Sequence, residues 1–394
     1  MLLPPELGQP YAGLEGLDHV VTLAEETVSG GRTEEFYAAL RASELPYLLR
    51  QHSESPRTLL LATLSTLHAL GSASPGLALG VSQHLATMLA LGLTGSLLSE
   101  HEAAGPVIGA LLEETFDRRL LIANTTSQDG GSRIGAKGSK IAAADDGGFR
   151  VDGHSTYMSL ATEAEKIVFL TYDQDDGLVG VVTDARVPQI VVSNELLFGD
   201  HLALADTRKV TFEGLPVPAS AVFGPDPKLN AFYMFQLVCH NLCVASLYLG
   251  GAYRIVEEVK RHGHATTLPT GAPLATSDSF AADAGQMAIG YLNAVDLVLA
   301  QIPLITRLAS RTPVDAADVG QALLRISTAK YGVARHIETI AAEGRKLIGA
   351  RSFMAGHPVS RIGAEIVFAA LGPATEKLIE RNVGLRYLEA NHGR

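Results

Sequence analysis

Cysteine is nearly absent from this chain of 394 residues, which has only Cys239 and Cys243. Two thiols build no disulfide framework, and their i,i+4 spacing in an apolar run sets both on one helical face as small hydrophobes. Positive charge is also short: 31 Lys and Arg against 42 Asp and Glu give a net charge of −11. With no basic cluster standing out from that background, nucleic acid and anionic membrane are excluded as expected partners. The opening residues, MLLPPELGQPYAGLEGLDHV, lack the basic segment and apolar core of a secretion signal, so the expectation is a cytoplasmic protein. A convincing membrane span is missing as well. The most apolar stretch, Gly76 to Leu98, is interrupted by Gln83, His84 and several Gly and Ser, and reads as a buried helix. Tryptophan does not occur at all.

What is present is apolar and globular: 47% of residues are hydrophobic and 19% charged, enough for two or three packed units with a sizeable core. From about residue 16 to 118 apolar positions recur three and four apart, over Val21 to Val28, Thr33 to Arg41 and Arg57 to Leu70, with breaks at Gly30-Gly31 and Ser55-Pro56. Between Arg119 and Phe223 the pattern changes to short alternating runs, including Leu120 to Ala123, Gly148 to Val151, Lys166 to Tyr172, Gly177 to Thr183, Ile190 to Ser193 and Thr207 to Glu213. These predict strands of a compact antiparallel barrel. Helical periodicity then resumes over Asn230 to Arg261, Ser277 to Arg311, Ala316 to Gly349 and Val359 to Leu388, with a kink expected at Pro303 and a linker from His262 to Thr276. The expected architecture is α+β: an N-terminal helical domain over 1–118, a central antiparallel β-barrel over 119–223 and a C-terminal four-helix bundle over 224–394. Bundle segments such as Asn230 to Arg261 and Val359 to Leu388 are apolar enough to predict a homodimer or homotetramer.

The chemistry concentrates between Asn124 and Tyr172, where hydroxyls and glycines alternate with short β-like runs. A sheet edge so furnished can hydrogen-bond a flat polar ligand. Thr126-Ser127-Gln128-Asp129-Gly130-Gly131-Ser132-Arg133 and Asp152-Gly153-His154-Ser155-Thr156-Tyr157-Met158-Ser159-Leu160-Ala161 are its two polar clusters. A third notable stretch runs from Gly349 through Ala350-Arg351-Ser352-Phe353 to Pro358-Val359.

In this order the three stretches resemble those of the acyl-CoA dehydrogenase family of flavoproteins, and the resemblance spans nearly the whole chain. The first cluster stands where the family has Thr-Glu-Pro-x-x-Gly-Ser-Asp against the flavin, and keeps Thr126, Gly131 and Ser132. The second aligns without a gap on Asn-Gly-x-Lys-x-Trp-Ile-Thr-Asn-Gly. There Tyr157 takes the place of the Trp beside the isoalloxazine, Met158 offers backbone to the ring, and Ser159 replaces the Thr whose hydroxyl faces the reactive nitrogen. An aromatic face and hydroxyl donors are the groups a flavin ring needs. The third stretch lines up with the family's Gly-Gly-x-Gly-Tyr segment at Gly349, and ungapped continuation brings Tyr-Glu-Gly-Thr onto Gly372-Pro373-Ala374-Thr375. The resemblance thus implies Thr126, Gly131, Ser132, Tyr157, Met158, Ser159, Gly349 and Thr375 as cofactor-binding residues and FAD as the cofactor, with FMN or a flavin-free site as alternatives.

Departures from the family are as informative. The carboxylate that removes the α-proton of an acyl thioester is replaced by Pro373, and no acidic residue lies between Asp226 and Glu257, the other place a base is found. His240 is the titratable candidate there, while His84 and Ser159 are the further candidates for a catalytic donor. Either histidine reads otherwise as a buried, hydrogen-bonded core residue. The family's Arg-x-x-x-Phe-Gly at the adenosine end of the nucleotide has no match in the region of His262 to Leu268. Three functions follow. One is a dehydrogenase of coenzyme A or carrier-protein thioesters with a relocated base. Another is a monooxygenase, acting on an amine, phenol or thioether, that draws reduced flavin from a partner reductase. The last is a flavin-free protein that keeps the fold for binding or non-redox chemistry. No metal site is expected.

Overall fold

The computed structural model describes residues 14–94, 104–125, 138–224, 228–311, 316–354, 356–372 and 374–389. It opens with helices α1 (Leu17–Gly30), α2 (Thr33–Ala42), α3 (Leu48–His52), α4 (Pro56–Ala73), α5 (Pro75–Leu93) and α6 (Ala104–Arg118). The two longest begin alike, on a serine followed by proline. Ser55 accepts from the Thr58 N–H at 3.3 Å and Ser74 from the Leu77 N–H at 3.2 Å, while Pro56 and Pro75 occupy first-turn positions where no N–H is needed. The start of α5 is also capped from afar, since the Gly76 N–H donates to the buried Glu365 carboxylate at 2.8 Å.

Eight strands follow: β1 (Ile122–Thr125), β2 (Ser139–Ala143), β3 (Phe149–Met158), β4 (Lys166–Tyr172), β5 (Leu178–Asp184), β6 (Ile190–Val192), β7 (Arg208–Val217) and β8 (Val222–Phe223). They form one sheet in the order β6-β7-β3-β2-β4-β5-β8, with β1 alongside β4. The expected antiparallel barrel is corrected here to a curled mixed sheet, because β1 and β2 both run parallel to β4. Alternation in a sequence reports which face a residue occupies and carries no strand direction. β2 had no counterpart among the expected strands, and β3 continues beyond Val151 through the second polar cluster to Met158.

Two irregularities in β3 explain why the expected strand stopped at Val151. The pairing of β3 with β7 shifts register between Val151 and Gly153 and again between Ser155 and Met158. At the first, Gly153 has φ +124°, and a Cβ there would lie 2.1 Å from the Gly138 carbonyl oxygen. At the second, burial passes from Val151 and Ser155 to Met158, so the alternation skips a beat and Tyr157 is turned outward.

The C-terminal part comprises α7 (Lys228–Ala265), α8 (Asp278–Leu299), α9 (Ile302–Ala309), α10 (Ala316–Ile348), α11 (Pro358–Glu365) and α12 (Glu376–Glu389). Pro303 sits in the first turn of α9, so the expected kink is a full break between α8 and α9. The fourth bundle segment, expected as one helix, is α11, a 3-10 turn over Ile366–Ala370, and α12. Gly372-Pro373 accounts for the interruption: proline donates no N–H and disfavours helix in the residue before it.

At the centre lies α7, packed on α4, α5, α8 and α10. Three stretches, Pro75–Leu93, Leu229–Ala265 and Asp278–Ala309, are long and apolar enough to cross a membrane. The first two are mostly buried inside the protein, which accounts for their apolarity, whereas the third is 33% buried. The uncovered apolar surface therefore belongs to α8 and the C-terminal segment, where Ile289, Val367 and Leu388 are exposed, and not to α7.

Candidate functional site

A cavity of about 750 Å³ opens where the end of the sheet meets the bundle. Its sheet wall carries Asn124 from the end of β1, Tyr157 and Ser159 from the end of β3, and Thr207 just before β7. Phe198, at the head of the 3-10 turn Gly199–Ala205, joins them. Its helical wall is built from one face each of α5, α7 and α10, with Gln83, His240, Asn241 and Ser327 among mainly aliphatic side chains. The broken segment closes the remaining side through Leu371, Gly372, Ala374 and Thr375.

The bulge in β3 creates the aromatic part of the wall. Tyr157 lies parallel to Phe198 with ring centroids 5.9 Å apart and planes 7° apart, and Phe198 meets Phe368 edge-on at 5.1 Å. Beside them Ser159 Oγ and Thr207 Oγ1 are 2.8 Å apart, a buried hydroxyl pair that can donate one proton outward.

Of the residues expected from sequence, Tyr157, Ser159, His240 and Thr375 come together on this cavity. Met158 is fully buried and is not among the lining residues; only its backbone, held in register with Arg208, belongs to the sheet end. Gly349 is likewise absent from the lining. It begins the 3-10 turn Gly349–Phe353 with φ +71° and nothing near the position of a Cβ. Thr126, Gly131 and Ser132 lie outside the described residues.

His84 is also off the cavity wall, and both its ring nitrogens are engaged. Nδ1 accepts from the Ile122 N–H at 3.0 Å and Nε2 donates to the Pro46 carbonyl at 2.8 Å. The catalytic reading of His84 is thereby corrected: the ring ties α5 to β1 and to the N-terminal helices. Burial pushes its pKa down to about 4, keeping it neutral.

His240 does face the cavity. Burial, with the nearby Lys330 charge, lowers its pKa to about 4. Its Nε2 lies 3.3 Å from Gln83 Nε2, so the amide N–H donates and the imidazole nitrogen accepts, which requires the neutral ring.

Three features escaped the sequence reading. Asn124 and Asn241 are buried at 8% and 1% exposure, and among the described residues the Asn124 Nδ2 donor and the Asn241 Oδ1 acceptor have no partner. Lys330, buried on α10, donates from Nζ to the Ala374 carbonyl at 2.8 Å and so anchors the broken segment from behind. Burial lowers its pKa to about 7. Lys330 was detectable, since it interrupts the apolar stripe between Ile326 and Val333; the two asparagines, at a strand end and within an apolar helix, carried no comparable signal. Among the described residues that line the cavity there is no Asp or Glu. Nor do the described residues hold a group of three His, Cys, Asp or Glu placed for a metal ion.

No family model and no curated protein matches the sequence. Solved structures do match the fold. KijD3, determined in complex with FMN and dTDP-3-amino-2,3,6-trideoxy-4-keto-3-methyl-D-glucose, superposes with a TM-score of 0.81 at 17% identity, covering 98% of this chain and 95% of its own. Dibenzothiophene monooxygenase (TdsC) from Paenibacillus sp. A11-2 gives 0.77 at 16% identity over 96% and 97% of the two chains. Butyryl-CoA dehydrogenase from Megasphaera elsdenii gives 0.76 at 15% identity over 95% and 98%. The chain therefore has the acyl-CoA dehydrogenase-like fold.

Proposed function

We propose that this chain is a flavin-dependent oxidoreductase of the oxygenating kind, using reduced flavin supplied by a partner reductase to oxidise a small molecule in the cavity. The observation that carries the reading is the wall segment made by Leu371, Gly372, Ala374 and Thr375. It lines the cavity at the place where a dehydrogenase of this fold would carry its carboxylate, and neither it nor any other described lining residue is acidic. His240 is a poor substitute base, because its accepting nitrogen is engaged by Gln83 and its basicity is low.

The cavity suits a flavin ring. Its volume falls within the range of roughly 300–1,000 Å³ typical of ligand sites. Tyr157 offers an aromatic face, and the Ser159 and Thr207 pair offers a hydroxyl. The chemistry a reduced flavin supplies there is two-electron activation of dioxygen, with one oxygen atom passing to the substrate and the other to water. The chain's own contribution is to hold the ring, exclude bulk water with the aliphatic faces of α7 and α10, and present neutral donors. FMN is preferred to FAD, since the adenosine-end motif has no match; KijD3 was likewise determined in complex with FMN.

The test combines titration and turnover. FMN should bind the purified protein at micromolar concentration. Tyr157→Ala, which removes a stacking face, should weaken it about tenfold. Oxygen consumption should require NADH and a flavin reductase. Anaerobic bleaching by butyryl-CoA would instead establish a thioester dehydrogenase with a relocated base. No flavin binding at all would defeat both.

A cytoplasmic location and a homodimer or homotetramer belong to the same proposal. The unburied apolar stretch from α8 to α9 and the exposed C-terminal side chains need a partner surface, and a second copy is the economical one. Light scattering at micromolar concentration should give at least twice the chain mass; a monomer there would contradict it.

A further inference from the structure

Among the described residues that line the cavity, Arg386 near the end of α12 carries the one formal charge, since His240 is neutral. Thr375, Leu378, Ile379, Asn382, Leu385 and Arg386 stand on this wall together because positions three and four apart share a helix face. The inner part of that stripe is covered and its outer end is exposed, so Arg386 and Asn382 sit at the mouth. Among the described residues neither side chain has an ion pair or a hydrogen bond. In a chain with 42 Asp and Glu against 31 Lys and Arg, a guanidinium beside a cavity has been left without a counter-charge.

The acidic groups nearest in sequence are engaged elsewhere. Glu376 Oε2 lies 2.9 Å from an Arg335 nitrogen, and Glu380 accepts from the Lys377 ammonium at 2.5 Å and from the Tyr331 hydroxyl at 3.2 Å. Behind the same wall, buried Lys330 adds positive potential that reaches His240 and that Glu376 offsets in part. A ligand ammonium at the mouth would therefore meet like charge, whereas a carboxylate or phosphate would meet a planar fork of N–H donors and a neighbouring amide. Being exposed, the mouth lets such an anion keep part of its hydration, which limits the cost of binding it. Further in, Leu237, Val244 and Leu324 suit an apolar body.

We propose that Arg386 determines specificity for an anionic substrate: an apolar body lies along α7 and α10 while its carboxylate or phosphate is held at the mouth by the guanidinium and the Asn382 amide. The inference rests on reading the cavity as the reaction chamber, and it adds the charge class of the substrate. The phosphate of FMN is the rival anion, and the experiment separates the two.

Indole-3-acetate and indole-3-acetamide are close in shape and differ in charge. Calorimetric titration of the full-length protein at low salt, with and without FMN, should show the acid binding about fivefold tighter than the amide. In Arg386→Gln, a change at an exposed position, the preference should fall below about twofold. FMN and riboflavin, titrated against the same two proteins, should keep the same affinity ratio in both. Equal binding of acid and amide by the wild type, binding of neither, or a preference that survives in Arg386→Gln would each overturn the proposal. A collapse of the FMN-to-riboflavin ratio in the variant would also overturn it, by assigning Arg386 to the cofactor phosphate. If circular dichroism shows that the variant does not fold, raising the ionic strength from about 0.05 to about 0.5 M makes the check on the wild type, whose preference should shrink. An acid preference without FMN binding would sink the flavin reading and leave this one standing; FMN binding without an acid preference would do the reverse.

Discussion

Gly250→Ala should destabilise the protein by roughly 3 kcal/mol or more, a large loss for a single methyl group. The reason lies in how closely α4 and α7 approach. A Cβ on Gly250 would sit 2.0 Å from the His68 carbonyl oxygen and 2.9 Å from the Ser72 nitrogen, and one on Gly71 would sit 1.9 Å from the Leu247 carbonyl oxygen. All of these are backbone atoms, so no side-chain rotation relieves the clash and the two helices must part. Parting them also breaks the bond from Ser246 Oγ to the Leu64 carbonyl, 2.8 Å across the same interface. His240 and Asn241 lie on the same helix as Gly250, so the helical wall of the cavity should loosen with it. The control is Gly109→Ala on α6, where nothing lies within 4 Å and helix propensity should make the change neutral or slightly stabilising. Urea unfolding of both variants measures the difference, and a Gly250→Ala protein within about 1 kcal/mol of wild type would show that the close approach is not obligatory.

Acid should weaken the fold well above the range where carboxylates titrate. His68, His84 and His240 have pKa values lowered to about 4 from an ordinary value near 6.5, each chiefly by burial. A depressed folded-state pKa means that the unfolded chain binds the proton first. The stability these groups contribute is therefore complete above about pH 6.5 and is lost as pH falls toward 4. A shift of this size is worth up to roughly 3 kcal/mol for one fully buried histidine, so His68 and His84 together predict a steep decline across that window, with a smaller share from His240, which faces the cavity. Glu365 opposes it in part, because burial raises its carboxyl pKa and the protonated form is the easier one to bury. The structural cost of charging is concrete. Protonating His84 Nδ1 removes the acceptor of the Ile122 N–H, which sits at the entry to the sheet, and His68 Nε2 is 2.9 Å from the buried Tyr291 hydroxyl. Unfolding free energies measured at intervals from pH 7.5 to 4.5 check this, and a flat profile above pH 5 would contradict it.

Periodicity settled much of the architecture. The exchange of helical spacing for alternation after Arg119, and its return near Asn230, matches the passage from α6 to β1 and from β8 to α7. The break read at Ser55-Pro56 falls at the start of α4, and Pro303, read as a kink, stands in the first turn of α9, because proline and serine act on their immediate neighbours. Lys166 to Tyr172 was legible to the residue, since a continuous apolar run paired with neighbours along its length has little freedom in its bounds. Of the residues that line the cavity, Tyr157, Ser159 and Thr375 could be named because they stand at positions aligned with a family pattern, and His240 because it is the titratable residue near the family's alternative base position.

Tertiary structure decided the rest, for one physical reason: those properties depend on what arrives from far along the chain. His84 and His240 are both histidines in apolar helices, and nothing local separates them. One is consumed by Pro46 and Ile122, while the other lines the cavity beside Gln83. Strand direction was undetermined because parallel and antiparallel neighbours bury the same faces. The turn of Tyr157 toward Phe198 required a bulge that only β7 imposes on β3. The unmet atoms of Asn124 and Asn241 became visible only once every other partner had been placed, because an orphaned hydrogen-bonding group is a property of its whole surroundings and never of its sequence.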